Sequence, residues 1–247
     1  MLPIAAALLC SLALPALAQN LWWDELANAP FQGNYPTKQS SQMLLDELFF
    51  QRAVQAYLFA LPAVNMYAMK EGSEKVFGKG YNVLPIWKER LDAKTLITTP
   101  NSDVIYALSY LDLNSDGPMV LEVPRSLQGI LDDFWQRPLS DVGFAGPDKG
   151  DGGKYLIVPP DYKGEEPQGY FTLRSRTYGV FVFLRTFFHD AAELEGPVKL
   201  MEQVRIYPLG KREVAEAMDF PDASGVSANL LFPSDSSLRY ARTVHPR

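Results

Sequence analysis

Thr98-Thr99-Pro100-Asn101-Ser102-Asp103 runs directly into Val104-Ile105-Tyr106-Ala107-Leu108-Ser109-Tyr110-Leu111-Asp112-Leu113. The first six residues are built to turn. Asn, Ser and Asp side chains bond to nearby backbone groups, and Pro100 removes a donor and blocks a smooth helix. The run that follows is rich in branched and aromatic residues, which suit a pleated, half-buried surface. A strand launched from a polar turn therefore divides the chain, with helical patterning before it and strands after it.

Upstream, Leu45, Leu48, Phe49, Ala53, Ala56, Phe59, Ala60 and Ala63 recur at three- and four-residue steps, the stripe of a buried helix. Ser40 or Ser41 is placed to cap it, and Asp46 and Glu47 suit the positive end of its dipole. Pro62 is expected to kink or end it, and Gly72 to cap a second short piece in the left-handed conformation. Gly78-Lys79-Gly80 is not a phosphate loop, since Gly80 stands where Ser or Thr is required after Lys79.

Downstream, short apolar runs alternate with Gly, Pro and Asp turns. Met119–Val123, Lys154–Val158, Tyr170–Ser175 and Val180–Leu184 read as strands, the last apolar throughout as in a strand covered on both faces. Asp112-x-Asn114-x-Asp116-Gly117 matches the opening of a calcium loop, but Val123 occupies the twelfth position, where a bidentate Glu belongs. The Asp-Gly pair reads instead as a hairpin turn. Residues 191–204 read as a helix interrupted by Gly196-Pro197. The expected fold is α+β: a helical segment packed on an antiparallel, jelly-roll-like β-sandwich. Its parts are a signal peptide (1–18), an extended arm whose tryptophans cover apolar surface (19–36), a helical segment with an irregular connection (37–97), the sandwich (98–210), and a linker remnant with a truncated tail (211–247).

Composition narrows the function classes. The chain has 247 residues and a formal charge of −6, which disfavours nucleic acid as a partner. Ile4–Leu14 is apolar but too short to span a bilayer, and Ala16-Leu17-Ala18 has the small-x-small form that signal peptidase accepts. Export to the periplasm or beyond is expected, with no transmembrane segment after cleavage. Cys10 is the only cysteine, so the mature chain would have no disulfide, thiol nucleophile or thiolate ligand.

An ordered series of short motifs carries a resemblance. Tyr81-Asn82-Val83, Thr99–Tyr106, Leu111-Asp112-Leu113, Gly117-Pro118, Glu122-Val123-Pro124, Gly153–Leu156, Arg174-Ser175 and Leu184-Arg185-Thr186 resemble the family catalogued as domain of unknown function 1254. The likeness covers roughly residues 40 to 233. It implies a largely antiparallel β-sandwich in exported bacterial proteins and no established reaction. Members of the family continue past the equivalent of Phe232-Pro233 into a second domain, catalogued as domain of unknown function 1214. Leu238–Arg247 does not resemble that continuation, and a truncated gene model is the expectation.

With two histidines, no cofactor or metal site is expected, and no serine-hydrolase signature occurs. His189 reads as a turn residue. Carboxylates, Arg and Tyr remain. Asp132 and Asp133 are the candidate catalytic pair, because two carboxylates in one pocket split their pKa values into acid and base. Asn101, Asp103, Tyr106, Arg137, Arg174 and Arg185 are candidate ligand-binding residues, Arg for bidentate capture of an anion. The structural alternative is that these residues close turns and form Asp–Arg pairs that fix strand register. Two functions stand: a binding or accessory module for a small anionic or carbohydrate-like ligand, with a homo-oligomer as a possible form, or a carboxylate-dependent hydrolase of cell-envelope glycan.

Overall fold

The computed structural model describes residues 23–231. The signal peptide, Cys10, Trp22 and residues 232–247 lie outside the described residues. The chain forms two compact units, Met1–Ala60 and Leu61–Arg247.

In the first unit, a short helix α1 (23–27) precedes a small hairpin of β1 (Phe31–Gln32) and β2 (Tyr35–Pro36). Gly33 and Asn34 turn it at φ 58° and 68°, the backbone that a two-residue hairpin loop requires. Helix α2 (Lys38–Phe77) starts here. Its cap is Thr37 and not the expected Ser40 or Ser41: Thr37 Oγ1 accepts the Ser40 N–H at 3.2 Å, and Ser40 Oγ donates to Pro30 O at 2.6 Å. Trp23 is half exposed. The expected buried stripe is absent. Leu45, Phe49 and Phe59 are exposed, together with Phe50, Tyr57 and Leu58 from the other sides of the helix.

The second unit takes up α2 at Leu61. Pro62 neither ends nor interrupts the helix. The cost of a missing donor is about 3 kcal/mol, and the helix beyond it repays that by burying Met66 and Met69. Gly72 is not a left-handed cap. It sits inside the helix, where a Cβ would lie 2.0 Å from the Asn229 carbonyl oxygen, so close backbone approach is what requires glycine. The cap role falls to Gly78, at φ 105°.

Two four-stranded sheets follow. The first has the order β4 (Val104–Asp112), β10 (Gly179–Phe187), β6 (Gln128–Asp133), β7 (Pro138–Val142), antiparallel throughout. The second has the order β11 (Arg205–Pro208), β5 (Met119–Val123), β8 (Gly153–Val158), β9 (Phe171–Arg174). Within it β8 and β9 run parallel, a departure from the antiparallel expectation. The loop after β8 is long enough to cross over and re-enter in the same direction. Neither sheet closes into a barrel. The Asp112–Gly117 link is not a hairpin, since β4 and β5 belong to different sheets. Asp112 instead folds the link tightly, accepting the Asn114 N–H at 3.0 Å and Ser115 Oγ at 2.9 Å.

Alternation along the strands sorts side chains into two cores. Ile105, Ala107, Leu131, Val182 and Leu184 of the first sheet share one cluster with Leu121, Val123, Tyr155, Ile157 and Ile206 of the second. The opposite face of the first sheet carries an aromatic ladder, Tyr106–Phe183–Phe181–Tyr110, with centroids 5.0, 5.6 and 5.3 Å apart, and Phe134 meets Tyr110 edge-on at 6.4 Å. Offset aromatic pairs of this kind add about 0.5–1.5 kcal/mol each beyond area burial. Met66, Met69, Trp87, Leu91, Ile97, Ala223, Ala228 and Leu230 belong to the same second core. Trp87 is fully buried, its Nε1 donating to Thr95 Oγ1 at 3.1 Å.

A short parallel pair, β3 (Thr95–Leu96) with β12 (Ala228–Asn229), ties the irregular connection to the chain's last described stretch. Ala223, Ala228 and Leu230 of this last stretch are buried in the second core. Helix α3 (Glu195–Met201) begins at Gly196-Pro197 instead of being broken there. Proline is tolerated in the first turn because those N–H groups have no helical partner.

Candidate functional site

The turn before β4 carries the backbone features that mark a constrained site. Thr99 adopts φ 46° and Arg90 φ 98°, left-handed values that a branched or long side chain rarely takes. Such strain costs on the order of 1–3 kcal/mol and persists only where the surroundings hold it. Asn101 Oδ1 accepts the Asp103 N–H at 3.0 Å and closes the turn. Ser102 lines an open cleft of about 310 Å³ with Glu89, Arg90, Asp92, Lys94 and Ser224. Ser224 Oγ accepts the Glu89 N–H at 2.7 Å, and Asp92 Oδ1 accepts the Lys94 N–H at 2.8 Å. Arg90 and Lys94 have no ion pair among the described residues.

Four of the expected ligand-binding residues gather at this end of β4. Tyr106 is buried, and its hydroxyl lies by the Asn101 backbone within the field of Asp103 and Arg185. Burial pushes its pKa up and Asp103 adds to that, while Arg185 and the Asn101 backbone oppose it. Arg185 stands directly opposite Tyr106 on β10 and lies over the Phe187 ring at 5.5 Å.

The other expected residues fall elsewhere. Asp133 is fully buried and accepts four bonds: the Trp135 and Arg137 N–H groups at 2.8 and 3.1 Å, Arg137 Nε at 2.7 Å and Arg137 Nη2 at 2.6 Å. Its carboxylate and the Arg137 guanidinium are committed to holding the β6–β7 turn. Asp132, one residue away, points to the opposite face of the sheet. It is half-buried, and burial, then Asp133 and Asp141, raise its pKa. The adjacent carboxylates therefore do not share a pocket. Arg174 lies in the second sheet, donating to Tyr162 O at 2.9 Å and Glu166 Oε1 at 3.3 Å, where it ties down the loop after β8.

Two clusters escaped the sequence reading. On the second sheet Glu122 stands between Arg205 and Lys154 in one cross-strand row. It takes a proton-donating bond from Tyr207 Oη and pairs with Lys154 at 3.1 Å. Burial would raise its pKa, but the bonds from Tyr207 and Lys154 and the charges of Lys154 and Arg205 leave it lowered. Asp148, also buried, accepts the Gly143 N–H at 2.7 Å, the Gly152 N–H at 3.2 Å and Tyr155 Oη at 2.5 Å, organising the glycine-rich loop. Glu122 and Lys154, charged residues on expected strands, were the available signal for the first, but the strand carrying Arg205 was not expected. The second had none, because two of its three partners are backbone N–H groups and the third, Tyr155, reads as an ordinary strand residue. No group of three His, Cys, Asp or Glu among the described residues could hold a metal ion, and no helix among them is long and apolar enough to cross a membrane.

A family model described as "Protein of unknown function (DUF1254)" matches residues 81–208. The VPA0106 protein from Vibrio parahaemolyticus has a crystal structure similar to this chain at 15% identity and a TM-score of 0.45, covering 64% of this chain and 39% of that one. A crystal structure of an uncharacterized protein from Burkholderia cenocepacia is similar at 14% identity and a TM-score of 0.34, covering 63% and 43%. The chain thus spans about two-fifths of the length of each. No curated protein matches it.

Proposed function

Starting from the fact that the chain belongs to this DUF1254 family, which supplies no reaction, we propose that it is an exported ligand-binding or accessory module of the cell envelope. Its two sheets, sharing one core without closing, are read as a jelly-roll-like sandwich. The ligand is a small acidic carbohydrate, bound beside the Asn101–Asp103 turn. One observation carries this reading: the cleft sets Arg90 and Lys94, cations with no ion pair among the described residues, among carboxylates and the hydroxyls of Ser102 and Ser224, over a strained backbone. Cations suit an anionic group, while carboxylates and serines suit sugar hydroxyls. Arg185 and Tyr106 stiffen the strand end behind the turn.

The alternative, a carboxylate-dependent hydrolase of envelope glycan, draws support from Asp132, whose raised pKa suits a general acid. It lacks the support of a second carboxylate in Asp133, whose acceptor capacity is taken up.

The test is thermal unfolding of the whole chain with glucuronate and galacturonate. Ligand at about a hundred times its dissociation constant stabilises by about 2.7 kcal/mol, a shift of about 5–10 °C. Arg90→Ala with Lys94→Ala should abolish the shift while leaving the unliganded midpoint nearly unchanged. A shift that survives the double substitution, or no shift at tens of millimolar sugar acid, counts against this site.

A further inference from the structure

Between Leu44 and Phe59, helix α2 exposes large apolar side chains in every direction, Phe49 and Leu58 on opposite sides among them. Among the described residues of the first unit only Ala29 and Ser40 are buried, so these residues build no apolar core. A helix draws most of its stability from packing, and one that is apolar all round belongs in an interior. This stretch of α2 therefore asks for an occupant. A bilayer does not serve. No helix among the described residues is long and apolar enough to cross one. Lying on its surface needs separate apolar and charged faces, whereas Asp46, Glu47 and Arg52 are interleaved with the apolar residues.

The sequence of the helix points to a second copy of itself. Leu45, Phe49, Ala56 and Ala60 recur at steps of four, seven and four, and so share one stripe. The large residues fill its first half and the small ones its second. Two such helices laid antiparallel set Leu45 against Ala60 and Phe49 against Ala56, each contact made twice by the two-fold symmetry. A parallel pair would set Phe49 on Phe49 and Ala56 on Ala56, crowding one end and leaving a gap at the other. Arg52 borders the stripe but is drawn off it, its Nη1 donating to Gln55 Oε1 at 3.0 Å. Area agrees. Phe49, Tyr57 and Phe59 are 66, 61 and 74% exposed. They leave on the order of 400 Å² per copy. With Leu45 and Leu48, a pair reaches the roughly 1,000 Å² that a specific interface has to clear. We propose that two copies of this chain associate through residues 45–60 of α2, antiparallel about a two-fold axis, with Phe49 of each seated at Ala56 of the other.

Light scattering on size-exclusion chromatography of the full chain, at tens of micromolar, should give twice the mass of one copy. Phe49→Glu with Ala56→Glu should return it to the mass of one copy. Leu58→Glu, equally drastic but on the opposite side of the helix, should leave the doubled mass in place. Direction is read by cross-linking, which does not depend on a disruptive variant. In a Cys10→Ser background, a mixture of Leu45→Cys and Ala60→Cys chains should form a disulfide-linked pair on oxidation, and neither chain alone should. A wild-type chain at the mass of one copy overturns the proposal. So does a polydisperse aggregate, a doubled mass lost equally in Leu58→Glu, or cross-linking of Ala60→Cys with itself in place of the mixed pair.

Discussion

Replacing Asp133 with Ala is the sharpest probe of how the first sheet is held. Asp133 is fully buried, while Arg137 is 44% exposed at its side chain. Breaking a buried pair by removing one partner costs about 3–5 kcal/mol. Water can reach the freed guanidinium and screen it, which moves the expectation to the low end. The Trp135 and Arg137 N–H groups also lose their acceptor at 2.8 and 3.1 Å, which keeps the loss from falling further. A cost of about 3 kcal/mol lowers the unfolding midpoint by about 6–12 °C for a chain of this size. Asp133→Asn should cost less, because its remaining oxygen can still accept from the backbone. The measurement is circular-dichroism melting at pH 7, with Arg137→Met and the double variant completing a cycle. A midpoint for Asp133→Ala within about 1 °C of the wild type would refute the clamp, as would a cycle with no coupling between the two residues.

The neighbouring carboxylate should behave in the opposite way. Asp132 has its pKa raised from 3.8 in the folded state, so its ionised form opposes folding at neutral pH. Asp132→Asn should raise the midpoint by about 1–3 °C at pH 7, and the gain should vanish below pH 3.8, where both states are protonated; a loss at pH 7 would contradict the sign. Glu122 has its pKa lowered from 4.5, so its contribution is present above that value and disappears as pH falls through the folded pKa. Glu122→Gln should destabilise by about 2–4 °C at pH 7 and be neutral in acid, and equal melting curves at pH 7 would count against the row.

Strand identity was legible where local chemistry decides it. The run from Val104 is β4 almost to the residue, and Met119–Val123 is β5 as read. Partnership was not legible. The Asp-Gly turn after β4 has the composition of a hairpin, yet which sheet β5 joins depends on Ile157 and Ile206, far along the chain. Gly72 shows the same limit: its composition signal means "cap", and only the approach of Asn229 gives its actual reason. Pro62 does not end the helix, because the donor it lacks is a local loss, outweighed by burial that the local sequence does not display.

The candidate site follows the same division. Asn101 and Asp103 could be read as a turn, but Arg90, Lys94 and Ser224 could not be joined to it. Residues 219–229 reach the cleft because they run beside 83–96, through bridges from Val83 to Asp219 and from Ile86 to Asp222 and through the β3–β12 pair. Ser224 and Gly225 lie beyond the family match, so one wall of the cleft comes from chain outside the matched span. A site assembled from three separated segments leaves no spacing motif. What it does leave is strain: Thr99 and Arg90, on two of those segments, hold backbone angles that neither residue would choose alone. That is why the turn before β4, and not the adjacent aspartates of β6, is where binding should be sought.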